Sequence, residues 1–338
     1  MTEAENKYWA DYAYHRGEVV LHNLPEIFAI ESTNYCNLKC IMCPRGEPDI
    51  MTRNLGHMST ELFARILDDA TFFSSPTWFH WFGEPLINPR LFDQIALAKK
   101  KVPNLGISTN ATLLDEHKTD RILDSGLDTV IIALDGATKP VYERVRKGNY
   151  EFEKVRDNAI HFLKRKEELG LPKPHTILSI IVMEETANDL EQFRTDWTER
   201  GANEILFKPF VDWGGQDEGI TQRALASELA AFKSPRLHPC KFLWQSLVIA
   251  WDGRVVPCCY DYDAKLVLGD LRKNTLAEIW NSEAYVNLRR AELAGRNNSD
   301  LCASCSQAPG HARNPNWGDG RPEPGAGALP VAPLRQVA

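Results

Sequence analysis

The stretch FAIESTNYCNLKCIMCP, residues 28–44, opens on an apolar run and closes on three cysteines, Cys36, Cys40 and Cys43. The run reads as the end of a strand over Ile27 to Ser32. The thiols therefore fall in a loop at a strand's carboxyl end, where βα folds collect their active sites. Thiolates are the ligands of iron–sulfur clusters, and three in one short loop leave one iron of a [4Fe-4S] cluster open to a non-protein ligand. A structural zinc site would want a fourth Cys or His with CxxC-type pairing, and buried cysteines without metal are the other alternative.

Outward from this loop, apolar runs alternate with amphipathic stretches, the pattern of parallel βα units. Six units can be read, with strands expected at Ile27 to Ser32, Thr77 to Phe82, Leu105 to Thr109, Thr129 to Leu134, Thr176 to Met183 and Glu204 to Phe210. Residues 1–24 read as an N-terminal arm and 25–215 as the βα domain. After Trp213-Gly214-Gly215 breaks the alternation, 216–308 reads as a second, smaller domain. From 309 to 338 the chain is rich in Pro, Gly and Ala without periodicity, so disorder is expected.

Composition limits the function. The chain of 338 residues has a formal net charge of -7 and no long Lys/Arg run, which argues against a nucleic-acid partner. No apolar run approaches the roughly 18 residues of a membrane span, and no secretory signal opens the sequence, so a cytoplasmic protein without disulfides is expected. Seven of the eight cysteines fall into two groups, 36/40/43 and 240/258/302/305, which suggests metal rather than disulfides.

The CxxxCxxC spacing, with Tyr35 before the first cysteine and Met42 before the third, resembles the radical S-adenosylmethionine (SAM) superfamily. The resemblance implies an α/β fold, a partial (β/α)6 radical SAM barrel, in which SAM chelates the open iron and yields a 5'-deoxyadenosyl radical. Met42 would lie near the adenine. Gly83-Glu84-Pro85 resembles the family's GGE-type motif, with Glu84 accepting from the SAM ammonium. Ser108 and Asn110, in ISTNA, would bind ribose or methionine groups. Asp135, in ALDGAT, ends the fourth strand, and Arg146, in VYERVRKG, would hold the SAM carboxylate. Arg144 is the alternative, and Ala133 departs from the Ser that relatives carry two residues before the Asp.

Cys240, Cys258, Cys302 and Cys305 are four thiols, enough to saturate a second [4Fe-4S] cluster or a zinc ion. Gly253-x4-Cys258, a helix around Leu276 to Trp280, and the terminal CxxC resemble the SPASM/twitch extension of radical SAM enzymes in its one-cluster form. The cofactors implied are SAM and two [4Fe-4S] clusters, with a flavodoxin- or ferredoxin-type electron donor as partner. Cys259 is left over, either a small apolar residue beside the cluster or a hydrogen-atom donor to a substrate radical.

The resemblance reaches toward one-cluster enzymes of aminoglycoside and nucleoside natural products, and implies oxidation of a secondary alcohol to a ketone on a small polar metabolite. Epimerisation, dehydration or decarboxylation of a similar substrate, maturation of a ribosomal peptide, and a non-catalytic metal scaffold are the alternatives. Candidates for the residue that takes the hydroxyl proton, or otherwise acts on substrate, are His80, Glu184, Lys208 and Asp212 at strand ends, Arg223 in the linker, and Cys259. His80 can equally be a satisfied core histidine, and Lys208 can bind a carboxylate or phosphate.

Overall fold

The computed structural model describes residues 1–47, 49–226, 239–295, 301, 302 and 305. The expected disorder over 309–338 lies outside the described residues. Among the described residues nine strands form one sheet: β1 Glu26–Ile30, β2 Phe72–Trp78, β3 Leu105–Thr109, β4 Thr129–Ala133, β5 His175–Val182, β6 Glu204–Pro209, β7 Ser246–Ile249, β8 Arg254–Val256 and β9 Gly269–Asp270. Their order is β6-β5-β4-β3-β2-β1-β7-β8-β9. The six strands β1 to β6 are parallel neighbours, as the alternating pattern predicts for a partial (β/α)6 barrel. Strand β7 then pairs parallel with β1, while β8 and β9 are antiparallel, so the sheet continues past residue 215 into the C-terminal region.

Side chains alternate across this sheet. Ile107, Val130, Ile132, Leu178 and Ile180 are fully buried, in one core with helix residues such as Phe63, Ile95, Ile122 and Phe162. The opposite set faces the lumen. Ser108 pairs with Ile131 and Ile131 with Ile177; Ala133 pairs with Ser179 and Ser179 with Leu206; Ile181 pairs with Lys208. Ile181 also packs against the apolar cluster that includes Cys36, Cys40 and Cys43, which fixes this face as the inner one.

One expected strand is corrected. Instead of Thr77 to Phe82, β2 spans Phe72–Trp78 and carries Pro76. A proline inside a run normally argues against a central strand. Here the register against β1 slips between Ile27 and Ala29. Hydroxyls fill the gap, Ser74 donating to the Ile27 carbonyl (3.0 Å) and Thr77 to that of Ser74 (2.8 Å). The N-terminal arm also contains a helix, Glu3–Arg16, started by a Thr2/Glu5 capping box and ended by Gly17 in the left-handed region. Buried Arg289 binds this end of the chain to the C-terminal region, donating to the carbonyls of Val19 (3.0 Å), Leu243 (2.9 Å) and Trp280 (2.9 Å). No helix among the described residues is long and apolar enough to cross a membrane.

Candidate active site

The first cysteine loop is fastened by four hydrogen bonds from other parts of the chain. Lys39 and Ile41 donate backbone N–H to the carbonyls of Lys147 (2.8 Å) and Val145 (3.0 Å), at the end of the helix Lys139–Arg146. The Trp213 indole donates to the Met42 carbonyl (2.8 Å), and Arg223 to that of Ile41 (2.8 Å). Cys43 N–H closes a turn on the Cys40 carbonyl at 3.1 Å. A Cβ on Gly46 would stand 2.4 Å from that same oxygen, so only glycine lets the chain pass. Burial raises all three thiols, Cys36 to about 11 and Cys43 to about 12, while the Arg146 guanidinium partly offsets the effect at Cys40. Thiols held protonated in this way become thiolates when a metal centre takes the place of their protons.

The SAM-motif residues gather beside this loop. Gly83 has φ +104, and a Cβ there would lie 2.6 Å from the Thr33 carbonyl oxygen and 2.7 Å from that of Tyr35. This close approach brings Glu84 against the loop, its N–H on the Tyr35 carbonyl (2.8 Å). The buried Glu84 carboxylate accepts from Asn110 N–H (2.7 Å), the Thr109 hydroxyl (2.8 Å) and Leu86 N–H (3.1 Å). The Asn110 amide donates to Asn37 (3.0 Å) and stands 4.0 Å from the Cys36 sulfur. Met42 is buried among Leu38, Val145 and Met183.

Of the two arginines weighed, Arg144 is exposed and Arg146 is buried. Arg146 lies 2.8 Å from the Asp135 carboxylate and 3.7 Å from the Cys40 sulfur, and it also donates to the Ala133 carbonyl. Asp135 adopts φ 55, a turn conformation that Asp tolerates. Its other oxygen accepts from Ile181 N–H at 2.7 Å.

The structure separates the residues proposed to act on substrate. His80 and Lys208 share the lumen: Ser108 N–H donates to His80 Nδ1 (3.1 Å), and burial together with the Lys208 charge pushes His80 down to about 3. Burial also lowers Lys208. Asp212 instead holds a turn, accepting from Gly214 N–H at 3.0 Å. Arg223, expected to act on substrate, donates to the Ile41 carbonyl of the cysteine loop. Glu184 is exposed just past β5.

The second cysteine group is drawn from three segments of the chain. The Cys258 thiol is raised by burial and by the neighbouring Cys259, Cys240 and Cys305, and Cys302 packs on the same core. Glu292 fixes Cys240 by accepting from its N–H (2.7 Å). Cys259 lies among the ligand candidates, its thiol pushed up to about 12 by burial. Four thiols are enough for a fully protein-ligated iron–sulfur cluster. Among the described residues, no three Cys, His, Asp or Glu side chains converge as the ligands of one ion would.

Sequence reasoning missed what joins the two groups. Trp81 donates its indole N–H to the Cys259 carbonyl (2.8 Å), and the Arg53 guanidinium lies over its ring, 4.6 Å from the centroid. Arg53 pairs through both terminal nitrogens with fully buried Glu31 and donates to the Tyr262 carbonyl (2.7 Å). Trp213, bonded to Met42 on one side, meets the rings of Phe82 (5.1 Å) and Tyr260 (6.2 Å) on the other. A Cβ on Gly214 would lie 3.9 Å from that of Cys305. The adjacency of Trp81 to the Gly83-Glu84-Pro85 motif was the one available signal; Arg53 had none.

The radical SAM superfamily model matches residues 30–196, and SPASM, an iron–sulfur cluster-binding domain, matches residues 240–306. The chain is 28% identical over 296 residues to the tungsten-containing aldehyde ferredoxin oxidoreductase cofactor-modifying protein of Pyrococcus furiosus, covering 77% of this chain and 82% of the relative. It is 21% identical over 291 residues to the S-adenosyl-L-methionine-dependent 2-deoxy-scyllo-inosamine dehydrogenase of Niallia circulans, covering 85% and 94%. Among solved structures, Streptococcus suis SuiB bound to the precursor peptide SuiA matches with a TM-score of 0.62 at 16% identity, over 89% of this chain and 74% of that one. With a cysteine loop at the barrel mouth and a second thiol group on the extended sheet, the chain belongs to the radical SAM superfamily and carries a SPASM domain.

Proposed function

We propose that this enzyme oxidises a secondary alcohol of a small carbohydrate-like metabolite, such as an aminocyclitol, aminoglycoside or sugar nucleoside, to a ketone in natural-product biosynthesis. The supporting observation is the nearness of Cys258 to Cys240 and Cys305, in a segment bonded to Trp81 through the Cys259 carbonyl. With four protein thiolates no iron remains for substrate, so a cluster there suits electron acceptance. When bound, SAM and its cluster supply a 5'-deoxyadenosyl radical able to take hydrogen from a carbinol carbon, and the auxiliary cluster supplies an acceptor for the remaining electron.

The chain's own residues set the stage. Cys36, Cys40 and Cys43 would hold the first cluster, and Met42, Glu84, Ser108, Asn110, Asp135 and Arg146 would orient SAM. Arg146, already beside Cys40, is the natural partner of a carboxylate there. His80 does not serve as the base, because a neutral ring that accepts from Ser108 N–H at Nδ1 carries its proton on Nε2. Glu184 takes the hydroxyl proton in this scheme, since it has no hydrogen bond among the described residues and stands just past the end of β5. A flavodoxin- or ferredoxin-type protein would donate the priming electron.

A second reading rests on the 28% identity to a cofactor-modifying protein: the small polar substrate would then be a cofactor precursor rather than a sugar. Incubation of reduced enzyme and SAM with candidate aminocyclitols, sugar nucleosides and cofactor precursors, followed by mass analysis, decides. Loss of two hydrogens supports dehydrogenation. Unchanged mass with new stereochemistry, which would bring in Cys259, or loss of water or carbon dioxide, rejects it.

A further inference from the structure

The lumen face of the sheet is apolar except at a few positions. Lys208 on β6 sits opposite Ile181, and one step below it Ser179 on β5 sits opposite Leu206. Ser179 is 1% exposed, and its hydroxyl has no hydrogen-bond partner in the protein. Across the lumen the ring of His80 presents Nε2–H, since its other nitrogen is taken by Ser108 N–H at 3.1 Å. The Trp78 ring closes the floor, so near Gly106 that a Cβ there would be 2.7 Å from it.

Lys208 is half-buried, and an ammonium partly withdrawn from water is costly unless a counter-charge meets it. The nearby acid that lowers the cost for Lys208 is Asp135, but that carboxylate already pairs with Arg146 at 2.8 Å and accepts from Ile181 N–H. The protein thus holds one cation, one hydroxyl without a protein partner and one imidazole N–H on the same inner surface. Lys208 and Ser179 stand at neighbouring register positions, and the Lys208 charge reaches His80; donors placed together on one inner face are the chemistry of a carboxylate or phosphate site.

We propose that Lys208, Ser179 and His80 form an anion subsite inside the barrel, which holds a carboxylate or phosphate group of the substrate. The inference rests on the reading of a small polar substrate and narrows it: the molecule oxidised carries a carboxylate or phosphate, which sets aside free aminocyclitols and aminoglycosides among the classes named above. SAM also carries a carboxylate, but Arg146 stands 3.7 Å from the Cys40 sulfur and is the cation beside the cluster loop. Lys208 and Arg146 therefore serve two different anions.

The test uses reconstituted, SAM-loaded enzyme, with inorganic phosphate and acetate as probes, in titration calorimetry with 31P line broadening for phosphate. The wild type is expected to bind at least one of the two, with affinity reduced tenfold or more in Lys208→Met and severalfold in Ser179→Ala, at unchanged SAM affinity. Iron content and circular dichroism identify any variant that fails to fold, and Lys208→Arg should then restore binding. Failure of both probes to bind the wild type, unchanged binding in folded Lys208→Met, or an equal loss of SAM affinity overturns the subsite; the last outcome assigns the lysine to the cofactor. The two readings fail separately. Ketone formation from a neutral substrate, unaffected by Lys208→Met, removes the subsite alone, and anion binding without ketone formation removes the reaction alone.

Discussion

Trp81 and Cys259 are joined by a 2.8 Å hydrogen bond from the indole N–H to the backbone carbonyl, which ties the carboxyl end of the second barrel strand to the chain beside Cys258. A hydrogen bond of this kind contributes about 1 kcal/mol. Trp81→Phe keeps a ring beneath Arg53 but loses the donor. Iron should therefore leave the C-terminal thiol group several times faster in the presence of a chelator, with little change at the first group. Equal rates of release from wild type and variant would show that the bond does not brace the site.

Arg53 and Glu31 form a buried ion pair with side chains 2% and 0% exposed. Removing one partner leaves an uncompensated charge, which costs about 3–5 kcal/mol. Arg53→Met should lower unfolding stability by this amount in denaturant titrations, and adding Glu31→Gln should recover a large part. A double variant no better than the single one would mean that the arginine acts through its contacts with Trp81 and Tyr262.

Arg146→Met should weaken SAM binding tenfold or more, whereas Arg144→Met, at an exposed position, should leave it unchanged; equilibrium binding to reconstituted enzyme reads both. Loss in both variants alike would argue against Arg146 as the carboxylate partner.

Glu26 starts β1 with its side chain buried, and burial raises its carboxyl to about 7, opposed by the Lys7 charge. In the unfolded chain the group ionises near its ordinary value of 4.5. Its contribution to stability is therefore complete below pH 4.5 and lost as the pH rises through 7, a change of up to about 3 kcal/mol at about 1.4 kcal/mol for each pH unit. Glu26→Gln should flatten the fall in stability between pH 5 and pH 8. A wild type equally stable at both would contradict the assignment.

The sequence exposed whatever is local. Three thiols within eight residues, Gly83 beside Glu84, and five of the six barrel strands could be read directly, because spacing and periodicity carry them. The second strand was misplaced, since Pro76 argues against a strand unless a slipped partner register and the hydroxyls of Ser74 and Thr77 accommodate it. The helix at the N-terminus was legible in Thr2, Glu5 and Gly17 and was passed over. What holds the two thiol groups together was not legible. Glu31 and Arg53 are 22 residues apart, and Trp81 and Cys259 are 178 apart, so only the folded sheet brings them into contact. Arg223 had the same problem: its partner is a backbone carbonyl 182 residues away.

We propose that one chain carries two clusters, one at Cys36, Cys40 and Cys43 that makes the radical, and one at Cys240, Cys258, Cys302 and Cys305 that receives the electron. Iron and zinc analysis after anaerobic reconstitution tests it most directly. About eight irons per chain are expected, about half of them lost when Cys302 and Cys305 are both replaced by Ala, and the other half when Cys36, Cys40 and Cys43 are. About four irons with one zinc in the unaltered protein would contradict it.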